Sequence, residues 1–233
     1  MRHISAWVVL VTAWALLGAA VEQTDDAGPS YRIEAIDGRL SRRDPPPVER
    51  LSAGNHLEAG SVVRTGWWSS ARLSVPTADT TFELGARTTV RLASNRPGLL
   101  LMVEKGRVRG AFGPHGGSER LVETPSAVLA VRGTEYGVAV DGSGATRVVV
   151  FEGEVDVADA AGAYPPVRVR AGEHTRIVQG RSPTAPGPHG MAPGDWDRGR
   201  MPHGMDGSRR HGPDRGHEGH PGIDHGGSGR HGG

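Results

Sequence analysis

Residues 122–157 read VETPSAVLAVRGTEYGVAVDGSGATRVVVFEGEVDV, and this stretch decides the fold. Aliphatic residues alternate with other residues in Tyr136–Val140 and again in Glu154–Val157, which is the period of strands with one buried face. Val148–Phe151 is continuously apolar, and this predicts a strand buried on both faces. The Asp141–Gly144 cluster between these runs predicts the tip of a hairpin.

The same alternation continues on both sides of this stretch. It recurs in six further segments: Tyr31–Ala35, Ala71–Val75, Thr88–Leu92, Arg107–Arg109, Val167–Arg170 and Thr175–Val178. Glycines at short spacing separate the runs, among them Gly106, Gly133 and Gly153, and we interpret them as turns. The sequence therefore predicts an all-β domain over residues 31–180. Sandwich, barrel and short solenoid architectures all fit this pattern.

Three ordered segments carry a family resemblance. The first is LEAGSVVRTG (residues 57–66), which continues into Ser70–Leu73; the second is VEKGRV (103–108); and the third runs from Val122 to Glu173. Their order of turns and strands resembles the FecR domain family over about residues 50–180. The residues of the third segment that match the family pattern are Thr124, Pro125, Val131, Arg132, Gly133, Thr134, Tyr136, Glu152, Gly153 and Gly172.

The sequence departs from the family pattern in two places. Tyr136 stands where phenylalanine is commoner, and Pro76–Asp79 replaces a tight turn of the Asp-Gly type. The second departure leaves the geometry of that hairpin open.

The resemblance implies an extracytoplasmic, β-solenoid-like stack of short strands without known catalysis, with a β-sandwich or jelly roll as the alternative. The best-known members regulate iron transport: they span the inner membrane, respond to an outer receptor and control a sigma factor inside. Only Met1–His3 precede the apolar run of this sequence, so we expect the domain without the cytoplasmic arm.

The matched residues also suit a structural role. The residue before proline is pushed to extended geometry, so Thr124 can end a strand, and Gly133 suits a sharp turn. Arg132 and Thr134 flank that turn, and an anion contact by Arg132 is the functional alternative. Glu152–Glu154 predicts a hairpin turn with solvated carboxylates.

The first 20 residues have the layout of a secretory signal peptide. A basic start precedes the uncharged run Ile4–Leu17, and Gly18 and Ala20 place small residues before a cleavage point after Ala20. An uncleaved anchor is the alternative, although the run is short of the about 20 residues of a membrane span. We therefore expect export to the periplasm or the extracellular envelope, a flexible leader over residues 21–30, and no transmembrane span after cleavage.

Residues 181–233 change composition to Gly, Pro and His. Such a segment has little apolar surface to offset its chain entropy, and it predicts a disordered tail. The imidazoles of His211, His217, His220, His225 and His231 suit weak binding of Zn, Ni or Cu. A solvated low-complexity tail without a cofactor is the alternative, and we favour it because the spacing is irregular.

Trp67 and Trp68 form the one unusual aromatic pair. Neighbours in a strand point to opposite faces, so we expect one indole in the core and one outside. The outer indole would either contact a sugar or a partner, or cap the edge of the strand stack.

Composition excludes several classes of function. The chain has no cysteine, which excludes disulfides and thiol chemistry, and its formal net charge of +1 argues against a nucleic-acid binder. Lys105 is the single lysine among 27 basic residues, and we attribute the arginine excess to coding bias. Hydrolase elbows, phosphate loops and zinc-protease motifs are absent from the sequence.

We conclude from the sequence that this is a non-enzymatic binding or regulatory module of the cell envelope, with a protein or envelope-polymer partner and a link to metal or iron signalling. The alternatives are a metal-handling protein that uses the histidine-rich tail, and a structural protein that binds itself or wall polysaccharide. The sequence leaves the oligomeric state open.

Overall fold

The computed structural model describes residues 29–94, 96–113 and 119–199, and it confirms an all-β fold. Within these ranges the strands are β1 (Tyr31–Asp37), β2 (Leu40–Asp44), β3 (Glu49–Arg50), β4 (His56–Leu57), β5 (Val62–Thr65), β6 (Ser70–Val75), β7 (Thr80–Leu84), β8 (Thr89–Leu92), β9 (Leu99–Phe112), β10 (Arg120–Glu123), β11 (Ala127–Val140), β12 (Thr146–Asp159), β13 (Val167–Arg170), β14 (Glu173–Ile177) and β15 (Gly187–Pro188). A 3-10 turn covers Pro76–Ala78, and the helix α1 covers Pro193–Asp197.

The strands form one open sheet that is organised in two rows. The first row runs β3-β2-β5-β8, continues through the first half of β9, β10, the first half of β11 and the second half of β12, and ends at β13. The second row runs β4-β1-β6-β7, continues through the second halves of β9 and β11 and the first half of β12, and ends at β14 and β15. The three long strands therefore belong to both rows.

A glycine with positive φ marks the point at which each long strand passes between the rows. The values are +96° at Gly106, +56° at Gly133 and +77° at Gly153. The interpretation of these glycines as turns between strands was wrong, because each lies inside a strand of 14 residues. Glu152–Glu154 likewise lies within β12 and is not a hairpin turn. A bend and a turn need the same backbone freedom, so the sequence signal does not separate them.

The two rows enclose the main hydrophobic core, which collects buried Val, Leu, Ile and aromatic side chains from both. Tyr31 joins the rows directly: its hydroxyl donates to the carbonyl of Leu100 in β9 and accepts a hydrogen bond of 3.1 Å from the amide of Ala93. Burial raises the pKa of the Tyr31 phenol well above its ordinary value. This polar contact is satisfied inside an apolar core, and it fixes the end of β1 against the first row.

Two hairpins show how local sequence sets the connections. Asp79 takes the left-handed conformation (φ +46°) after the turn Pro76–Ala78, so β6 and β7 still pair as a regular hairpin despite the departure from an Asp-Gly turn. At the predicted hairpin tip, Asp141 Oδ1 accepts hydrogen bonds from the amides of Ser143 (2.8 Å) and Ala145 (3.1 Å). The tip joins β11 to β12 where the sequence predicts it.

The sequence places the start of the predicted disordered tail too early, at residue 181. Residues 181–199 include β15 and α1, and they return to the outer face of the second row. The amide of Thr184 donates to Arg176 (3.0 Å) and that of His189 donates to Gly172 (2.9 Å), while Trp196 is 2% exposed. One large aromatic side chain supplies the buried surface that composition alone does not suggest.

Several sequence predictions fall outside the described residues. These are the signal peptide at 1–20, most of the leader at 21–30, and the candidate metal ligands His211, His217, His220, His225 and His231. None of the helices in the described ranges is long and apolar enough to cross a membrane.

We predict that Gly153→Ala destabilises the fold by about 2 kcal/mol. An L side chain is disfavoured at φ +77°, at a cost of about 1–2 kcal/mol, and its Cβ would lie 2.9 Å from Thr134 Oγ1. Urea unfolding measures the change. Gly142→Ala is the control because its Cβ would meet nothing within 4 Å. Equal stability of the two variants would contradict the role of the bend.

Candidate binding surfaces

The Thr124-Pro125 motif builds a buried turn between β10 and β11. Thr124 Oγ1 accepts a hydrogen bond from the amide of Ala127 (2.8 Å), and Ser126 Oγ, Thr146 Oγ1 and Thr124 Oγ1 follow one another at 2.7 Å each. The three hydroxyl groups satisfy one another and the turn inside the protein. Pro125 is exposed at the surface of this turn. This part of the motif is structural.

Arg132, Gly133 and Thr134 form the bend of β11. Thr134 is buried, and its Oγ1 lies 2.8 Å from the carbonyl of Arg132 and 2.9 Å from that of Glu154. Arg132 is exposed and its Nη2 lies 3.1 Å from Glu119 Oε2. A surface ion pair of this kind contributes little to stability. The structure thus gives Arg132 a carboxylate neighbour of its own chain.

Tyr136 packs in the core beside a glycine of the adjacent strand. Its ring stacks on Phe112 at 5.7 Å between centroids, and a Cβ at Gly110 would lie 2.6 Å from that ring. Burial raises the pKa of the Tyr136 phenol far above its ordinary value. Val131 is fully buried as well, whereas Glu152 is exposed. The phenol lies inside the protein and offers no surface to a partner.

The remaining matched glycine lies beside β12, where its amide donates to the carbonyl of Val150 (2.9 Å). Gly172 has φ +82° in the turn between β13 and β14. Its carbonyl accepts the amide of His189, which connects the motif to the C-terminal segment.

Trp67 and Trp68 are both exposed, at 68% and 91%, so the prediction of one buried indole was wrong. They lie in the turn that joins β5 to β6, where the alternation of a strand does not apply. The turn is held from within: Ser69 Oγ accepts the amide of Arg39 (2.9 Å), and the amide of Gly66 donates to the carbonyl of Arg39 (2.9 Å). A fixed turn therefore presents two adjacent indoles to solvent.

A groove lined by arginines lies beside Trp67. It has a volume of about 520 Å³ and is formed by β2, β3, β5 and the turn before β8. Its arginines are Arg39, Arg43, Arg50, Arg64 and Arg87. The guanidinium carbon of Arg87 lies 4.3 Å from the centroid of a Trp67 ring. We call this surface the arginine groove. The number of arginines in the sequence does not predict it, because its members are separated along the chain.

The C-terminal segment forms a second surface feature. Trp196 packs on Ala139 and Val149, and a Cβ at Gly137 would lie 2.5 Å from the indole. Asp197 Oδ1 accepts a hydrogen bond from Arg109 Nε at 2.9 Å. Arg109 also forms an ion pair with Glu135. Trp196 is the one tryptophan of the Gly/Pro/His-rich region, and this was the signal in the sequence for the segment.

The His, Asp and Glu side chains of the described residues form no candidate metal centre. No group of three or more His, Asp or Glu side chains among them is arranged to hold a metal ion. His189 is used structurally, since its Nε2 lies 2.9 Å from the carbonyl of Val150 and its Nδ1 accepts the amide of Met191. Burial lowers the pKa of His174.

The family assignment rests on a direct match. The model of the FecR protein family matches residues 61–156. Residues 61–156 match a FecR domain. The match begins just before β5 and ends within β12, and so it includes the tryptophan turn and the bends of all three long strands.

This chain was also compared with solved structures and with curated proteins. Two crystal structures of a "putative anti-sigma factor" from Parabacteroides distasonis ATCC 8503 are similar to it. Each is 19% identical with a TM-score of 0.45, and the match covers 55% of this chain and 59% of the other. The chain thus spans less than two thirds of these proteins. No curated protein matches it significantly.

We predict that Gly137→Ala releases the C-terminal segment while the FecR domain stays folded. The added methyl group would occupy the position of the Trp196 indole. Amide hydrogen exchange over residues 187–199 should then accelerate by about tenfold or more, as expected for local opening. Gly142→Ala serves as the control. Unchanged exchange over 187–199 would show that the notch at Gly137 does not hold the segment.

Proposed function

We propose that this FecR-domain protein is a non-enzymatic regulatory module of the cell envelope that acts by binding a protein partner. The observation that carries the proposal is the pair of exposed tryptophans on the turn between β5 and β6. Large exposed aromatic side chains are costly in water and are enriched at the centres of protein interfaces.

The rigidity of the turn supports the proposal. Gly66 accepts the amide of Arg87 (2.9 Å) while its own amide donates to Arg39, so the turn is tied to both neighbouring connections. The Arg87 guanidinium also covers one face of Trp67. A surface that is already ordered loses little conformational entropy on binding.

The FecR domain supports the assignment to signalling rather than catalysis. The residues of its motif serve the bends and the buried turn, and they leave the contact surface to residues outside the motif. Export to the envelope follows from the signal-peptide layout of residues 1–20 and is part of the proposal.

Cross-linking in the native envelope tests the binding role. Full-length protein and Trp67→Ala/Trp68→Ala should be compared, because loss of such an anchor weakens an interface by about 2 kcal/mol, or about thirtyfold. Tyr164→Ala is the control, since Tyr164 is a third exposed aromatic residue at 37%. We expect a receptor or membrane regulator to be recovered with the parent and the control, and to be lost with the double variant.

Two outcomes would refute this function. Recovery of only the protein itself or of wall material would favour a structural role. Equal recovery of a partner by all three proteins would remove the tryptophan turn from the interface.

Export is tested separately by the N-terminus of the protein recovered from the envelope. We expect its sequence to begin at Val21, because signal peptidase cleaves after small residues such as Ala20. Mass spectrometry of the intact protein measures this. An intact Met1 in the envelope fraction would establish the anchored alternative, and recovery from the cytoplasm alone would contradict export.

A further inference from the structure

The arginine groove is built by strand register. Ser41 of β2 lies opposite Arg50 of β3 on one side and Arg64 of β5 on the other. Arg39 and Arg43 lie two residues from Ser41 along the chain and line the same groove. Leu40, Leu51 and Val63 alternate with these positions and are buried. The pleat therefore gathers arginines on the outer face of three strands.

The charges of the groove have no carboxylate partners within the described part of the chain. Glu49 pairs with Arg42 (2.8 Å), and Asp44 pairs with Arg91 (3.3 Å), so the nearby acids are bound to arginines outside the groove. The five groove arginines make no such ion pair with the described residues, and each is exposed. Like charges at this density repel one another, and an anionic ligand would relieve the repulsion.

The walls of the groove are partly apolar. Val48, which is 61% exposed, and Trp67 both line it. Val48 adjoins β3, which pairs on one side only, with β2. The groove thus combines guanidinium groups, two apolar contacts and an open sheet edge.

We propose that the arginine groove binds an acidic peptide segment of the protein partner. Carboxylate side chains accept paired hydrogen bonds from guanidinium forks, and apolar side chains between them pack on Val48 and Trp67. An extended segment also suits the open edge of β3. The inference rests on the proposed function and adds to it the chemistry of the partner.

A peptide fits these features better than other polyanions. A flat lipid surface would not use a concave groove, and the chain as a whole has a formal net charge of only +1, which gives little long-range attraction to nucleic acid. A sulfated polysaccharide offers charge but no apolar side chains to pack on Val48 and Trp67.

Fluorescence anisotropy on the full chain tests the proposal. The probe is a fluorescein-labelled decapeptide with eight glutamates and two leucines, and its counterpart carries glutamine in place of glutamate. Arg50→Gln/Arg64→Gln is compared with Arg32→Gln/Arg170→Gln, which removes the same charge at exposed positions outside the groove. We expect Kd to rise about tenfold or more for the groove variant and less than about twofold for the control.

Arg64→Lys separates geometry from charge. Lysine retains the positive charge but loses the guanidinium fork, so we expect an intermediate Kd. Thermal unfolding of each variant should match that of the parent, because the substituted side chains are exposed. A variant with a lower Tm is replaced by Arg43→Gln/Arg50→Gln, which tests the same groove.

Three results would overturn the proposal. They are equal weakening in the groove and control variants, equal binding of the glutamine peptide, and groove-dependent binding of heparin or of phosphatidylglycerol vesicles without binding of the acidic peptide. If the acidic peptide does not bind but tryptophan-dependent recovery of a partner persists, the inference fails and the proposed function stands. If no partner is recovered, the proposed function fails whatever the peptide does.

Discussion

Three long strands belong to both rows of the sheet, and this requirement governs the rest of the structure. β9, β11 and β12 each supply one half to either row, so the core between the rows closes only if the backbone changes direction inside a continuous hydrogen-bonded strand. Glycine permits that change at Gly106, Gly133 and Gly153. The Thr134 hydroxyl then donates to the neighbouring carbonyls of Arg132 and Glu154 at the bend. Several residues of the FecR pattern, among them Gly133, Thr134 and Gly153, therefore serve these bends.

The sequence predicts the strands well because alternation reports burial directly. It predicts that Val148–Phe151 is buried on both faces, and Val148, Val149 and Val150 are fully buried. It does not distinguish a bend from a turn, since glycine serves both. It also mispredicts Trp67 and Trp68, because the rule of opposite faces holds in strands and these residues lie in a turn.

The surface features were harder to predict from sequence than the core. The arginines of the groove are distant in the chain and become neighbours only through the pairing of β2 with β3 and β5. Their counterions are also decided in three dimensions, since Glu49 and Asp44 are bound by other arginines. Composition gives a chain that is nearly neutral overall, whereas register separates its charges into patches.

The position of Trp196 bears on where this protein begins and ends as a unit of folding. Val149 and Phe151 lie within the family match, yet their outer side is covered by a residue 40 positions beyond its end. The region that matches the family is thus smaller than the region that packs together in the folded protein. A chain that ended at residue 156 would lose β13, β14 and β15 together with Trp196, so the outer side of Val149 and Phe151 would face water beside an open sheet edge, where a second copy can pair. The boundary of the family match therefore differs from the boundary that keeps the apolar surface of the sheet covered.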